Sequence, residues 1–117
     1  MGNLSNNFSR YEFTCRCGCG FNTVDTELIT ILEDLRIHFK QPITVNSGAR
    51  CKDYNMLVGG KTDSQHLIGR AADILIKDTP PRVVQFYLLE KYPEQYGIGV
   101  YTNFVHLDTR SKKARWG

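Results

Sequence analysis

The sequence predicts an α+β domain in which a small antiparallel sheet packs against helices. Three observations carry that expectation. Leu28, Ile31, Leu32, Leu35 and Phe39 repeat with the roughly 3.6-residue period of one buried helix face. Ala71 to Ile76 is a short run, apolar except for Asp73, as expected of a buried strand. Gly97 to Tyr101 and Phe104 to Thr109 are strand-like and separated only by Thr102 and Asn103, the spacing of a two-residue hairpin.

The elements follow in order. Thr23 or Asp25 can cap the first helix, and Pro42 helps to stop it. Ile43, Thr44 and Val45 read as a short strand leading into the turn Asn46-Ser47-Gly48-Ala49-Arg50. A short helix runs through Asp53 to Leu57 and ends at Gly59-Gly60. Lys61 to Arg70 is polar and loop-like. Thr79-Pro80-Pro81 opens the next helix, whose inward face is Val83, Val84, Tyr87 and Leu88, with the stem of Lys91.

At 117 residues, with no repeat, low-complexity tract or linker, the chain is expected to form one domain over 1–117 with a single modest core. Its hydrophobic (41%) and charged (23%) fractions argue against disorder. The net charge of +3 favours approach to an anionic surface such as cell wall without identifying one. The densest basic run, Arg110 to Arg115, reads as a solvated tail, so no nucleic-acid partner is expected. No segment approaches the roughly 18 apolar residues needed to span a bilayer. The N-terminus lacks the apolar region of a secretory signal. The expected product is a soluble monomer, cytoplasmic as synthesised.

Four cysteines are present: Cys15, Cys17, Cys19 and Cys51. In an extended segment the first three would share one face. Their spacing differs from the pairs of zinc ribbons and fingers, and a reducing compartment disfavours disulfides. Buried or tolerated thiols are therefore favoured over a metal clip with Cys51 or a disulfide formed after export.

The chemistry gathers around His66, Asp73 and His106. His66 ends a polar loop, whereas Asp73 and His106 lie inside apolar strands. Singly, His106 reads as a core histidine and Asp73 as a carboxylate bonded to a turn or an arginine. Together the three point to a metal, because a carboxylate is costly to bury unless paired or bound to a cation. Two histidines and a carboxylate suit zinc, and three protein ligands leave the fourth position for water, the catalytic pattern.

Several motifs resemble the zinc D-Ala-D-Ala carboxypeptidase family of peptidoglycan peptidases. They are Ser47-Gly48-Ala49-Arg50, Ser64-x-His66 with Gly69-x-Ala71-x-Asp73, and Phe104-Val105-His106-Leu107-Asp108. Relatives include D,D-dipeptidases, phage endolysins and the hedgehog signalling domain. The likeness is closest to the small single-domain branch, through Phe8-x-x-x-Glu12-Phe13, Asp108-x-Arg110 and Arg115-Trp116. It implies a hedgehog-like fold, with His66, Asp73 and His106 holding Zn2+ and Arg50 stabilising an oxyanion at the substrate carbonyl. Ser47 and Ser64 are candidate substrate-binding residues, although ordering the turn and the His66 loop is the simpler role for both. Gly69 lets the chain turn between two ligands.

Many family members carry an acid three residues before the last zinc histidine, as general base. Here that residue is Asn103, which takes no proton near neutral pH. Asp108, on the same strand face as His106, is the candidate catalytic substitute, as base, as a partner of the ligands or as the third ligand in place of His106; base or partner is favoured, and Glu94 and Asp63 are weaker candidates. The resemblance implies a zinc peptidase cutting an amide bond in peptidoglycan stems or cross-links. The setting would be a phage or prophage endolysin acting on the wall after release, or a virion-associated enzyme. The alternative is a non-catalytic zinc-containing binding module or a phage structural component.

Overall fold

The computed structural model describes residues 2–117. Strands β1 (Ile43–Ser47), β2 (Ala71–Ile76), β3 (Gly97–Val100), β4 (Val105–Asp108) and β5 (Ala114–Trp116) form one sheet in the order β1-β2-β4-β3-β5. Helices α1 (Thr26–Phe39), α2 (Lys52–Leu57) and α3 (Pro81–Lys91) accompany it. Three strand pairs are antiparallel, as expected, but β3 and β5 run parallel, so the sheet is mixed.

Period-two alternation sorts the central strands. Ala72, Ile74 and Ile76 of β2, Val105 and Leu107 of β4 and Ile98 of β3 enter the core with Leu28, Ile31, Leu32 and Leu35 of α1 and Val84 and Leu88 of α3. Each fully buried Leu or Ile contributes about 1.5–3 kcal/mol. Phe8, ahead of the 3-10 turn Arg10–Phe13, and Phe13, its last residue, complete that core. Val83, expected to face inward, is instead largely exposed on α3.

The remaining β2 and β4 positions carry the polar groups. Asp73 pairs with His106 across the β2–β4 ladder, and Gly99 pairs with His106 on the other side. Gly99 in turn faces Trp116 of β5. An irregularity between Val45 and Ser47 lets Asn46 drop out of register, so Ser47 pairs with Asp73. One extra residue therefore carries Ser47 to the face opposite Val45. The result is a row across the sheet: Ser47, Asp73, His106, Gly99, Trp116.

α1 begins where Asp25 accepts a hydrogen bond from the Thr109 hydroxyl at 2.8 Å, which ties the helix to the end of β4. It ends on Lys40, left-handed at φ 55°, before Pro42 is reached. The C-terminal segment is not the solvated tail expected from its charge. Arg115 donates to the carbonyls of Tyr92, Gln95, Tyr96 and Ala114, and Ala114–Trp116 becomes the edge strand β5. Among the described residues, no helix is long and apolar enough to cross a membrane.

Candidate metal centre

His66 is delivered by a 3-10 turn, Gln65–Ile68, immediately before β2. Its backbone N–H donates to Ser64 Oγ at 3.1 Å, and Gly69 closes the turn in the left-handed region, as its position between two ligands predicts. The imidazole is 2% exposed. Nδ1 lies 2.6 Å from the Gly48 carbonyl oxygen, which can only accept, so Nδ1 carries the proton and Nε2 the lone pair. That Nε2 stands 3.3 Å from Asp73 Oδ1.

His106 repeats the pattern with its nitrogens exchanged. Nε2 lies 2.7 Å from Asp108 Oδ2, and Nδ1 lies 3.0 Å from the same Asp73 Oδ1. Where Asp108, the nearer carboxylate, takes the His106 Nε2 proton as Gly48 takes that of His66 Nδ1, the inner nitrogens of the neutral imidazoles present lone pairs toward an oxygen that is itself an acceptor. The three ligand atoms lie within 4.8 Å of one another. Three buried acceptors facing one point repel unless a cation or a proton sits between them, and this donor set is of the kind that holds zinc. An imidazole whose far nitrogen is fixed by a carboxylate or a backbone carbonyl is the usual support of a metal ligand.

The charges favour a positive group beside Asp73. Burial pushes Asp73 upward, but His106 and His66 outweigh it and hold the carboxyl well below the usual carboxylate range. Burial pushes Asp108 upward too, and His106 and Arg110 likewise hold it well below. His106 is lowered by burial and raised more by Asp108 and Asp73, so that it sits above an ordinary imidazole.

Asp108 is fully buried and its oxygens are occupied. Oδ1 accepts from Gly97 N, Arg110 N and Arg110 Nε, and Oδ2 from His106 Nε2 and Arg110 Nη2. It shares the strand face of His106, as the alternation predicts, but sits on the far edge of that ring from Asp73. A Cβ on Gly97 would fall 2.4 Å from both Asp108 oxygens, and one on Gly99 would fall 2.2 Å from Trp116 Nε1. Glycine at these two positions makes room for the carboxylate and the indole; a glycine inside a strand is the signal in the sequence that marks such an approach.

Arg50 lies in the turn after β1. It donates from Nη2 to Asp73 Oδ2 (3.1 Å), from Nη1 to Asn55 Oδ1 (3.2 Å) and from Nε to Ser47 Oγ (3.1 Å). Ser47 and Ser64 thus spend their hydroxyls on fixing Arg50 and His66. Neither lines the adjoining cleft of about 440 Å³, whose walls are Phe21, Arg50, Cys51, Lys52, Thr62 and Leu67. Arg50 is the link between that cleft and the ligand cluster. Asn103 is exposed in the β3–β4 turn, and Glu94 is exposed beside Lys113 at 3.7 Å. Asp63 is exposed in the loop before the His66 turn.

Three supports carried no role in the sequence reading. Asn55 is a buried amide that also donates to the Lys61 carbonyl. Trp116 lies with its ring 5.0 Å from His106 and its N–H on the Tyr101 hydroxyl. Arg110 clamps Asp108 and lies over Trp116.

No curated protein matches the chain. The family model described as Peptidase M15 matches residues 6–108, from ahead of the 3-10 turn to the end of β4. That span holds all three converging groups, Arg50 and Asp108. The chain therefore belongs to the Peptidase M15 family, the zinc D-Ala-D-Ala carboxypeptidase-like family that its motifs resemble.

Proposed function

We propose that this protein is a zinc-dependent peptidase that hydrolyses an amide bond in the peptide stems or cross-links of peptidoglycan. The observation that carries the reading is the convergence of His66 Nε2, His106 Nδ1 and Asp73 Oδ1, with both outer ring nitrogens already committed. Zinc in such a three-ligand setting acts as a Lewis acid and makes water nucleophilic near neutral pH.

The chain's own residues do the rest. Gly48 and Asp108 hold the two imidazoles in the tautomers that turn lone pairs inward. Arg50 uses three of its five donors on Ser47, Asn55 and Asp73. The two that remain, one on each terminal nitrogen, are available to the oxygen of an attacked carbonyl or to a substrate carboxylate. Arg50 and Lys52 make the cleft cationic, which suits the free carboxylates of stem peptides. Asp108 serves as the carboxylate that orients His106 rather than as the proton acceptor, because its lone pairs are filled and it is sealed from solvent. We further infer that the enzyme works as a monomer in an endolysin-like or virion-associated setting.

The filled Asp108 and the amide at Asn103 also favour a second reading, a zinc-containing module that binds wall peptides without cutting them. Mass spectrometry of products released from purified peptidoglycan by zinc-loaded protein separates the two. New peptide termini that vanish with His66→Ala establish the peptidase, and their masses name the bond. Intact muropeptides from a zinc-loaded wild type would overturn it in favour of binding.

A further inference from the structure

The cysteines take no part in that centre, yet they too converge. Cys15, Cys17 and Cys19 lie in the loop after the 3-10 turn, and Cys51 directly precedes α2. Their four sulfur atoms all lie within 4.8 Å of one another. Cys15 and Cys17 are 3.5 Å apart, and Cys17 and Cys51 are 3.6 Å apart. Four sulfurs at about 2.3 Å from a zinc ion stand about 3.8 Å from each other, the edge of that tetrahedron.

The alternating spacing closes up because the segment is not extended. Gly18 and Gly20 adopt φ of 86° and 90°. A Cβ at either would touch nothing within 4 Å, so the backbone conformation and not space requires glycine there. The loop is pinned by Cys15 N–H donating to the Phe21 carbonyl at 2.7 Å and Gly18 N–H to the Cys15 carbonyl at 3.3 Å. Two further backbone N–H groups are aimed at sulfur: Cys51 N at Cys15 Sγ (3.3 Å) and Tyr54 N at Cys51 Sγ (3.4 Å). Such donors stabilise thiolate, the form that binds metal.

We propose that Cys15, Cys17, Cys19 and Cys51 form a second metal site, a closed all-sulfur tetrahedron for a thiophilic divalent ion, zinc. On binding, the four thiols give up their protons to solvent and each sulfur donates one lone pair to the ion. With four protein ligands no position is left for water or substrate, so the role is structural.

What the site holds together follows from its neighbours. It joins the N-terminal segment to the turn that carries Arg50, where Ala49 N–H already donates to the Phe13 carbonyl at 2.8 Å. Gly48, whose carbonyl orients His66, packs so closely there that a Cβ would fall 2.7 Å from Phe13 Cα. Cys51 lines the cleft and begins the helix that bears Asn55, a partner of Arg50. The cysteine cluster thus braces one wall of the cleft.

The test uses the full chain with His66→Ala, purified under reducing conditions, so that the first centre is disabled and no hydrolysis is read. This variant is expected to retain one zinc per chain after dialysis, against two for the wild type. Exchange for cobalt is expected to give a sulfur-to-cobalt charge-transfer band, in this variant and in the unaltered chain alike. Cys17→Ser combined with Cys19→Ser is expected to remove that band. A zinc-free His66→Ala protein, a cobalt spectrum of the unaltered chain without the sulfur band, or cysteines found paired as disulfides would each overturn the proposal. The spectrum of the unaltered chain does not depend on any variant folding.

Discussion

The two clusters differ in what carries them. Asp73 and His106 stand opposite each other on the central strands β2 and β4, and His66 enters from the turn that leads into β2. Their positions are set by the register of a sheet whose other face is the core. The cysteines stand on a loop shaped by two left-handed glycines and on the residue before a short helix. The sheet-borne cluster brings three donors and braces each imidazole from behind; the loop-borne cluster brings four and adds backbone donors to its sulfurs. Three donors would leave a position open for chemistry, whereas four would close the site and make it a brace.

The largest effect expected from breaking this contrast is at the first cluster. His66→Ala or His106→Ala should abolish peptidoglycan hydrolysis, a loss beyond the ~10³-fold typical of removing one oxyanion donor. Circular dichroism should remain close to wild type. Hydrolysis that survives these changes but disappears with Cys17→Ser, at full occupancy of the histidine centre, would reverse the assigned roles.

Arg50→Lys comes next. It keeps the charge but loses the planar fork that serves Ser47, Asn55 and Asp73 together. A drop of about 10²-fold in kcat at saturating zinc is expected, measured on a soluble stem peptide. Unchanged kcat would remove Arg50 from the oxyanion.

Asp108→Asn sharpens the division between holding a ligand and moving a proton. As the partner of His106, Asp108 should cost 10–100-fold in zinc affinity when neutralised, with most of kcat restored by excess metal. Loss of kcat that excess zinc does not restore would return Asp108 to the role of base.

The smallest effect lies away from both clusters. Glu33 on α1 accepts from Asn7 N and Asn7 Nδ2, each at 2.7 Å, and from the Ser5 hydroxyl. Burial pushes its carboxyl up, but Asn7 and Ser5 hold it below its ordinary value of 4.5. A carboxyl lowered by folding stabilises the native state above its ordinary value, and the benefit is lost as pH falls through the lowered one. Glu33→Gln should therefore cost about 1 kcal/mol at neutral pH, and the gap to wild type should close in acid. Thermal melts of both proteins across that range measure it; a constant gap would dissociate Glu33 from the tether of the N-terminal segment.

Much of the frame was legible because burial imposes periodicity. The apolar stripe of α1, the limits of β2 and the hairpin about Thr102 and Asn103 follow from patterns that repeat every three to four or every two residues. Asp73 and His106 stood out for the same reason, as polar residues in otherwise apolar runs. β5 was hidden, because a strand of three residues beside two lysines has no pattern of its own; it exists through the carbonyls that Arg115 reaches. The convergence of the cysteines was not legible, since alternation describes an extended chain and Gly18 and Gly20 turn the loop.

The sequence by itself determined the α+β class, the choice of His66, Asp73 and His106 as candidate ligands and the strand face shared by His106 and Asp108, because these depend on residue type and short-range period. Only the tertiary structure decided which lone pairs point inward. For His66 that choice rests on a partner distant in sequence, the Gly48 carbonyl, and for His106 on Asp108, whose oxygens Gly97 of the neighbouring strand helps to fill. It also rests on the dropped register at Asn46, which turns Ser47 toward Arg50. Hydrogen-bond direction is set by whichever donor or acceptor the fold brings near, and no local pattern encodes it.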